Sequence, residues 1–110
     1  MKAQNVVLTV SFHAEVDLAA SRFVDFDGAY AAAGAKALGV VDAETGADNY
    51  APINVLGVML VEAGGAVPAG SEVEVGADGK ALAKDTGAGN GFAIDAAIAD
   101  GDLIRIVRGI

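Results

Sequence analysis

Hydrophobic positions along this chain occur in short runs that alternate with polar residues or are interrupted by glycine. Most of these runs are rich in Val and Ile and are bounded by Gly, Asp or Asn, a pattern typical of β-strands. We predict strands over residues 5–12, 22–26, 38–41, 53–62, 72–75, 80–84, 92–98 and 103–107. The segment 92–98 is expected to run from a strand into one helical turn, and the Ala-rich segment 30–37 is interpreted as strand or loop.

Asp-Gly dipeptides at residues 27–28 and 78–79 mark the predicted hairpin turns. Both residue types tolerate the positive φ that tight hairpins need. The longest apolar run, 53–62, is interpreted as a buried central strand, in which Gly57 marks a bulge or close packing. A helix is the rival interpretation of that run, because a short apolar run does not distinguish the two.

Two parts of the chain echo each other. Residues 24–43 and 75–96 each contain a strand, an Asp-Gly turn, an Ala/Gly-rich return, then Gly, two apolar residues and Asp-Ala. The echo predicts two related hairpin units, and chance similarity is the alternative in a chain so rich in Ala and Gly. We therefore expect an all-β fold, a small β-barrel or sandwich of short strands with hairpin turns and at most one short helix. Residues 1–20 would form an N-terminal strand or arm, and residues 21–110 a single β-domain.

The composition fits thin β-structure. The chain has 110 residues, enough for one domain with a modest core, and its hydrophobic residues include 24 Ala and 14 Val but no Trp. Association with a partner would add to the stability of such a core. The absence of Cys suits a reducing cytoplasm. The apolar runs are too short for a secretion signal or a membrane span, so no membrane partner is expected.

The chain is acidic, with 15 Asp and Glu against 7 Lys and Arg and a net charge of −8. The basic residues are scattered: Lys2, Arg22, Lys36, Lys80, Lys84, Arg105 and Arg108. Because phosphate binding needs clustered Lys and Arg, nucleic acid is not an expected partner.

Residue types of a hydrolase triad occur close together as Ser11, His13 and Asp17. A working triad also needs an oriented base and an oxyanion hole, which one local segment rarely assembles. We therefore interpret these residues as a polar strand face. Glu72 and Glu74, a possible acid–base pair, are interpreted as a solvated strand edge.

Two polar loops contain residue types that bind calcium or phosphate in other proteins. Asp42, Glu44 and Asp48 resemble a calcium loop, but the alternating ligands and final Glu of an EF-hand are absent. The Gly-rich segment 85–91 lacks the spacing and the Lys-Ser/Thr of a phosphate-binding loop. With one His and no Cys, a zinc site would depend on carboxylates. We predict an acidic surface loop and a flexible connection, and no cofactor or metal.

Lys80 directly follows a predicted hairpin turn, where lipoyl- and biotin-carrier domains hold their modified Lys. Those domains are also small, acidic and all-β, but neither the Met-Lys-Met nor the Asp-Lys-Ala signature is present. A carrier domain modified on Lys80 is the alternative to the function considered next.

The order of motifs in the second half resembles that of bacteriophage capsid decoration, or cement, proteins. The segments that carry the resemblance are 56–62, the turn AGGAVPAG at 63–70, 72–75, 78–81 and the tail 91–106. That family similarly shows a "G-x-A-x-x-A-A … G-D-x-I-x-V" ending. The first half matches more loosely, through 23–28 and 39–42, and residues 1–20 fall outside the resemblance.

The resemblance implies a non-enzymatic, β-barrel-like protein, commonly trimeric, that binds the outer surface of an icosahedral head. It would clamp neighbouring major capsid subunits and stabilise the expanded capsid. Its partners would be the major capsid protein and further copies of itself, on the virion surface after synthesis in the host cytoplasm. Many copies on a lattice would give avidity from modest contacts.

Aromatic and Arg side chains dominate binding hot spots, and the first strand lies outside the family-like region. Candidate interface residues are therefore Val6, Leu8, Val10, Phe12, Phe23, Tyr30, Tyr50, Arg105 and Arg108. We expect the arm formed by residues 1–10 to pair with a neighbouring chain.

Overall fold

The structure is a computed structural model that describes residues 2–110, so Met1 of the predicted arm lies outside it. Its elements are β1 (Asn5–His13), β2 (Phe23–Val24), β3 (Gly39–Val41), β4 (Tyr50–Glu62), β5 (Val73–Val75), a 3-10 turn (Ala77–Gly79), β6 (Ala81–Ala83), β7 (Phe92–Ala93) and β8 (Leu103–Arg108). The prediction of an all-β fold is confirmed. The helical turn expected within 92–98 is wrong, because β7 ends at Ala93 and the chain then bends.

β4 is the central strand of one curled, six-stranded sheet. The order along the sheet is β2-β3-β4-β8-β7, and β5 and β6 form a second, small sheet. Asn54 pairs with both β1 and β3, and Val58 pairs with both β1 and β8. Because a strand has two edges, β1 occupies one edge of β4, and β3 and β8 share the other. The predicted N-terminal arm, which contains β1, therefore pairs with β4 of its own chain. The division of residues 21–110 into two related hairpin units stays a prediction.

β4 begins three residues earlier than predicted, and so includes a proline. Pro52 has no N–H, and its carbonyl accepts a hydrogen bond of 2.9 Å from the Asp42 amide, just after β3. The backbone of Pro52 thus faces away from β1, and the proline removes no hydrogen bond from the β1–β4 ladder. Ser11, directly opposite in β1, must therefore turn its own N–H and carbonyl outward.

The bulge predicted at Gly57 is present. The register between β1 and β4 shifts on both sides of Leu8, and Gly57 has a φ of 107°. A β-carbon on Gly57 would lie 2.5 Å from the Asn5 carbonyl oxygen and 2.7 Å from the Val7 nitrogen. Glycine is therefore needed for β1 to approach β4 this closely.

Two hydrophobic clusters form the core, and β4 contributes to both. The larger cluster includes Phe23, Val40, Met59, Val61, Val73, Val75, Ile104 and Ile106. The smaller cluster contains Ala14, Leu18, Val24, Val41, Ala51 and Ile53. Alternate residues of β4 enter these clusters, as the two-residue period of a strand requires.

The second Asp-Gly pair forms the predicted hairpin turn between β5 and β6. Asp78 and Gly79 both have positive φ, of 57° and 73°. The Gly76 amide donates a hydrogen bond of 2.7 Å to the Lys80 carbonyl and closes the turn. The left-handed conformation that these residue types favour is therefore used here.

The loop 85–91 makes more contacts than its composition indicates. Asn90 is buried, and its Oδ1 accepts a hydrogen bond from the Ala37 amide while its Nδ2 donates to the Ala35 carbonyl, both at 2.9 Å. The Glu74 carboxylate accepts hydrogen bonds from two backbone amides of the same loop. These side chains tie the loop to the segment before β3 and to β5.

Candidate functional site

His13 lies between two carboxylates and beside an aromatic ring. Its Nδ1 is 3.6 Å from Glu15 Oε1, its Nε2 is 3.5 Å from Asp48 Oδ1, and its ring packs edge-on against Tyr50. Asp17, the carboxylate considered for a triad, instead accepts a hydrogen bond of 2.9 Å from a backbone amide in the loop after β3. These contacts agree with a polar surface rather than a triad.

Two of the three carboxylates of the loop 42–49, Asp42 and Asp48, also have separate partners. Asp42 accepts hydrogen bonds of 3.0 Å from the side-chain amides of Asn54 and Gln4. Asp48 contacts His13, as described above. Among residues 2–110, no group of three or more His, Cys, Asp or Glu side chains is placed to hold a metal ion.

Lys80 belongs to a cluster of ion pairs at the end of β4. Its Nζ lies 2.8 Å from Asp100 Oδ1 and 3.3 Å from Glu62 Oε2, and these carboxylates raise the pKa of Lys80. Arg22 contacts the other oxygen of Glu62 and donates to the Asp78 carbonyl. The Lys80 ammonium is therefore paired with two carboxylates, and its side chain is 21% exposed.

Two interface candidates on β8 have partners within the chain. Arg105 donates two hydrogen bonds of 2.9 Å to Asp95, and this guanidinium holds the pKa of Asp95 well below its usual range. Arg108 donates to the carbonyls of Leu38 and Ala37, and burial lowers the pKa of its guanidinium. Both residues hold neighbouring segments against β8, and their contact with a partner stays a prediction.

The remaining candidates differ in exposure. Phe23 is corrected to a core residue, because its fully buried side chain offers no surface to a partner. Val10 and Phe12 pack against the smaller core, and Tyr30 does so while its hydroxyl accepts a hydrogen bond from a backbone amide. The candidates with exposed side chains are Leu8 and Tyr50, whereas Val6 is of intermediate exposure, like Val10, Phe12 and Tyr30.

One end of the molecule exposes apolar side chains that the sequence analysis left largely unnoticed. The segment after β1 lies between two others, since the Ala14 amide donates to the Asn49 carbonyl and the Glu15 amide to the Gly28 carbonyl, both at 2.9 Å. We call residues 13–17, 25–28 and 44–50 the acidic end. Its exposed apolar side chains are Val16, Phe26, which is 60% exposed, and Tyr50, which is 68% exposed.

The acidic end holds six of the fifteen carboxylates of the chain: Glu15, Asp17, Asp25, Asp27, Glu44 and Asp48. Within residues 2–110, no Lys or Arg forms an ion pair of 4.0 Å or less with these six, and the His13 ring contacts two of them, Glu15 and Asp48. One sequence signal points here: Phe26 stands between two Asp residues before a turn glycine, where it has no core to enter.

β1 presents an open edge. In the part of the chain that the structure describes, β1 pairs with β4 alone. Just beyond β1, this edge is covered by the turn at Gly28, whose carbonyl accepts a hydrogen bond from the Glu15 amide. Ser11 and, two residues earlier, Thr9 turn their backbone groups outward, and Val7 is exposed at the bulge.

These features define a class of protein: a small all-β module whose exposed apolar side chains include Val7 in β1 and Val16, Phe26 and Tyr50 at the acidic end. The model of the phage cement protein family matches residues 1–108. The chain belongs to the phage cement protein family. The match includes the first twenty residues, so placing them outside the resemblance was wrong.

A solved structure shows the same fold. The head fiber gp8.5 N base of bacteriophage phi29 is 22% identical, and the match covers 91% of this chain and 92% of that chain with a TM-score of 0.73. The curated proteins contain no match to this chain. Within residues 2–110, no helix is long and apolar enough to cross a membrane.

Proposed function

We propose that this protein decorates the outer surface of an icosahedral phage head, clamps neighbouring major capsid subunits and stabilises the expanded capsid. The family match over residues 1–108 carries the proposal. The fold shared with the base of a phage head fiber supports a place on the head. In this role the protein acts by binding, without catalysis, and reaches the virion after synthesis in the host cytoplasm.

The test mixes purified protein with expanded capsids assembled without it. We expect saturable binding at a fixed number of copies per capsid, because the lattice offers a fixed number of equivalent sites. Capsids carrying the protein should also resist heat better than bare capsids. Capsids already saturated with the protein are the control and should bind no more. Binding that does not saturate, or an unchanged disruption temperature, contradicts the proposal.

We further propose a homotrimer in which the open edge of β1 pairs with a neighbouring chain. Support comes from the outward-facing backbone groups of Thr9 and Ser11, since an unpaired strand edge accepts a further strand. A trimer closed around a three-fold axis would also cover these edges. The β1–β4 pairing within each chain would remain as it is.

The variant Ser11→Pro tests this arrangement. It removes an outward-facing N–H and leaves the hydrogen bonds from β1 to β4 in place, so the monomer should remain folded. We expect native mass spectrometry to show trimers for the unchanged protein and for the control Ser11→Thr, and mainly monomers for Ser11→Pro. Trimers that survive in Ser11→Pro, or an unchanged protein that is monomeric, contradict the proposal.

A further inference from the structure

In the described part of the chain, most carboxylates at the acidic end accept no hydrogen bond that would stabilise the fold. Asp17 and Asp25 accept hydrogen bonds from backbone amides and so hold their loops. Among the contacts of residues 2–110, the carboxylates of Glu15, Asp27, Glu44 and Asp48 accept no such bond. The Glu15 and Asp48 side chains are 60% and 90% exposed. Because like charges close together destabilise a folded chain, folding alone does not explain these four residues.

The basic side chains are engaged elsewhere. Arg22 and Lys80 contact Glu62, and Arg105 contacts Asp95. The other four donate to backbone carbonyls outside the acidic end: Lys2, Lys36, Lys84 and Arg108. The charge of the molecule is therefore uneven, with an unneutralised negative end and a remainder in which nine carboxylates accompany all seven Lys and Arg residues.

The same end carries exposed aromatic side chains. Phe26 and Tyr50 belong to the two segments that flank Glu15 and Val16. Protein interfaces commonly combine an apolar centre rich in aromatic residues with a polar rim. The acidic end has exposed aromatic side chains and surrounding carboxylates, whereas the carboxylates of Glu62 and Asp100 are already paired with Lys80.

We infer that the acidic end is the face that docks on the phage head, and that its partner is a Lys- and Arg-rich protein surface with an apolar depression for Phe26. The inference rests on the proposed capsid function and adds the face and the chemistry of the contact. The same face of a second copy does not fit, because two acidic ends would repel each other. Nucleic acid is repelled for the same reason.

Two triple variants with equal charge changes test the inference. The first, Glu15→Gln, Asp27→Asn and Asp48→Asn, neutralises carboxylates of the acidic end. The control, Glu72→Gln, Asp78→Asn and Asp85→Asn, neutralises three carboxylates elsewhere. We expect the first triple to bind expanded capsids roughly tenfold more weakly at low salt and with a smaller salt dependence. The control should bind within about twofold of the unchanged protein. Equal melting temperatures would show that both variants are folded.

Carbodiimide coupling, which joins a carboxylate to a nearby Lys amine, provides a second readout on the protein bound to capsids. Links from Glu15, Asp27, Glu44 or Asp48 to lysines of the capsid protein support the inference. Links only from other carboxylates, or links from these four to a second copy of this chain, overturn it. Undiminished binding by the first triple overturns the inference alone, whereas absence of binding by the unchanged protein overturns the proposed function as well.

Discussion

The guanidinium of Arg105 binds the carboxylate of Asp95 at two points, with Nε and Nη2 each 2.9 Å from a carboxylate oxygen. The Arg105 backbone amide donates a third hydrogen bond, of 3.0 Å, to the same carboxylate. This pair fastens the segment after β7 to the closing strand β8. Two-point pairs of this kind are among the stronger polar contacts in proteins.

Asp95→Ala should lower the melting temperature by about 5 °C, since it removes all three hydrogen bonds of the pair. Arg105→Lys keeps the charge but loses the forked geometry, so an intermediate loss is expected. Asp85→Ala is the control, because its carboxylate lies in an exposed loop. Calorimetry measures all three, and equal melting temperatures for Asp95→Ala and Asp85→Ala would contradict the role of the pair.

Stability should decrease in acid. Arg105 lowers the pKa of Asp95, and backbone N–H groups lower the pKa of Glu74 and of Asp102. A carboxylate whose pKa is lower in the folded state than in the unfolded chain stabilises the fold above its unfolded pKa of about 4. This stabilisation is lost as the pH falls from about 4 through the folded pKa. Urea unfolding between pH 7 and pH 2.5 measures the loss, and Asp95→Asn should flatten the acid limb; an unchanged slope would be a contrary result.

Gly57→Ala should destabilise the protein by about 2–3 kcal/mol, because the positive φ is strained for Ala and its β-carbon meets the backbone of β1. Gly70→Ala is the matched control: Gly70 also has a positive φ, of 84°, but its β-carbon would meet nothing within 4 Å. The control should therefore lose only about 1 kcal/mol. Hydrogen exchange should also show faster opening of β1 in Gly57→Ala alone. Equal exchange in the two variants would argue against the close approach.

Phe23→Ala should lower the free energy of unfolding by about 3–5 kcal/mol, as expected for a fully buried aromatic side chain. Ile98→Ala serves as the comparison because Ile98 is 86% exposed, and it should change stability by less than about 0.5 kcal/mol. Chemical denaturation measures both values. A loss in Phe23→Ala as small as that in Ile98→Ala would contradict the assignment of Phe23 to the core.

Local chemistry made much of this fold predictable. Short Val- and Ile-rich runs bounded by Gly, Asp or Asn identified most strands, and the longest apolar run identified the central one. Asp78 and Gly79 formed the predicted turn because these residue types adopt positive φ easily. The Gly57 bulge was predictable because a glycine inside a strand usually has a steric reason. The family resemblance was visible in the order and spacing of Gly- and Ala-rich motifs.

The surfaces that matter for binding depended instead on which distant segments become neighbours. Nothing in the first twenty residues indicated that β1 would pair with β4, so they were taken for a separate arm. Phe23 and Phe26 look alike in sequence, but one enters the larger core and the other is exposed at a turn. The sequence by itself determined an acidic, all-β chain with its strands and turns. Only the tertiary structure separated the charges, because long-range packing paired the basic residues elsewhere and left the carboxylates of the acidic end together.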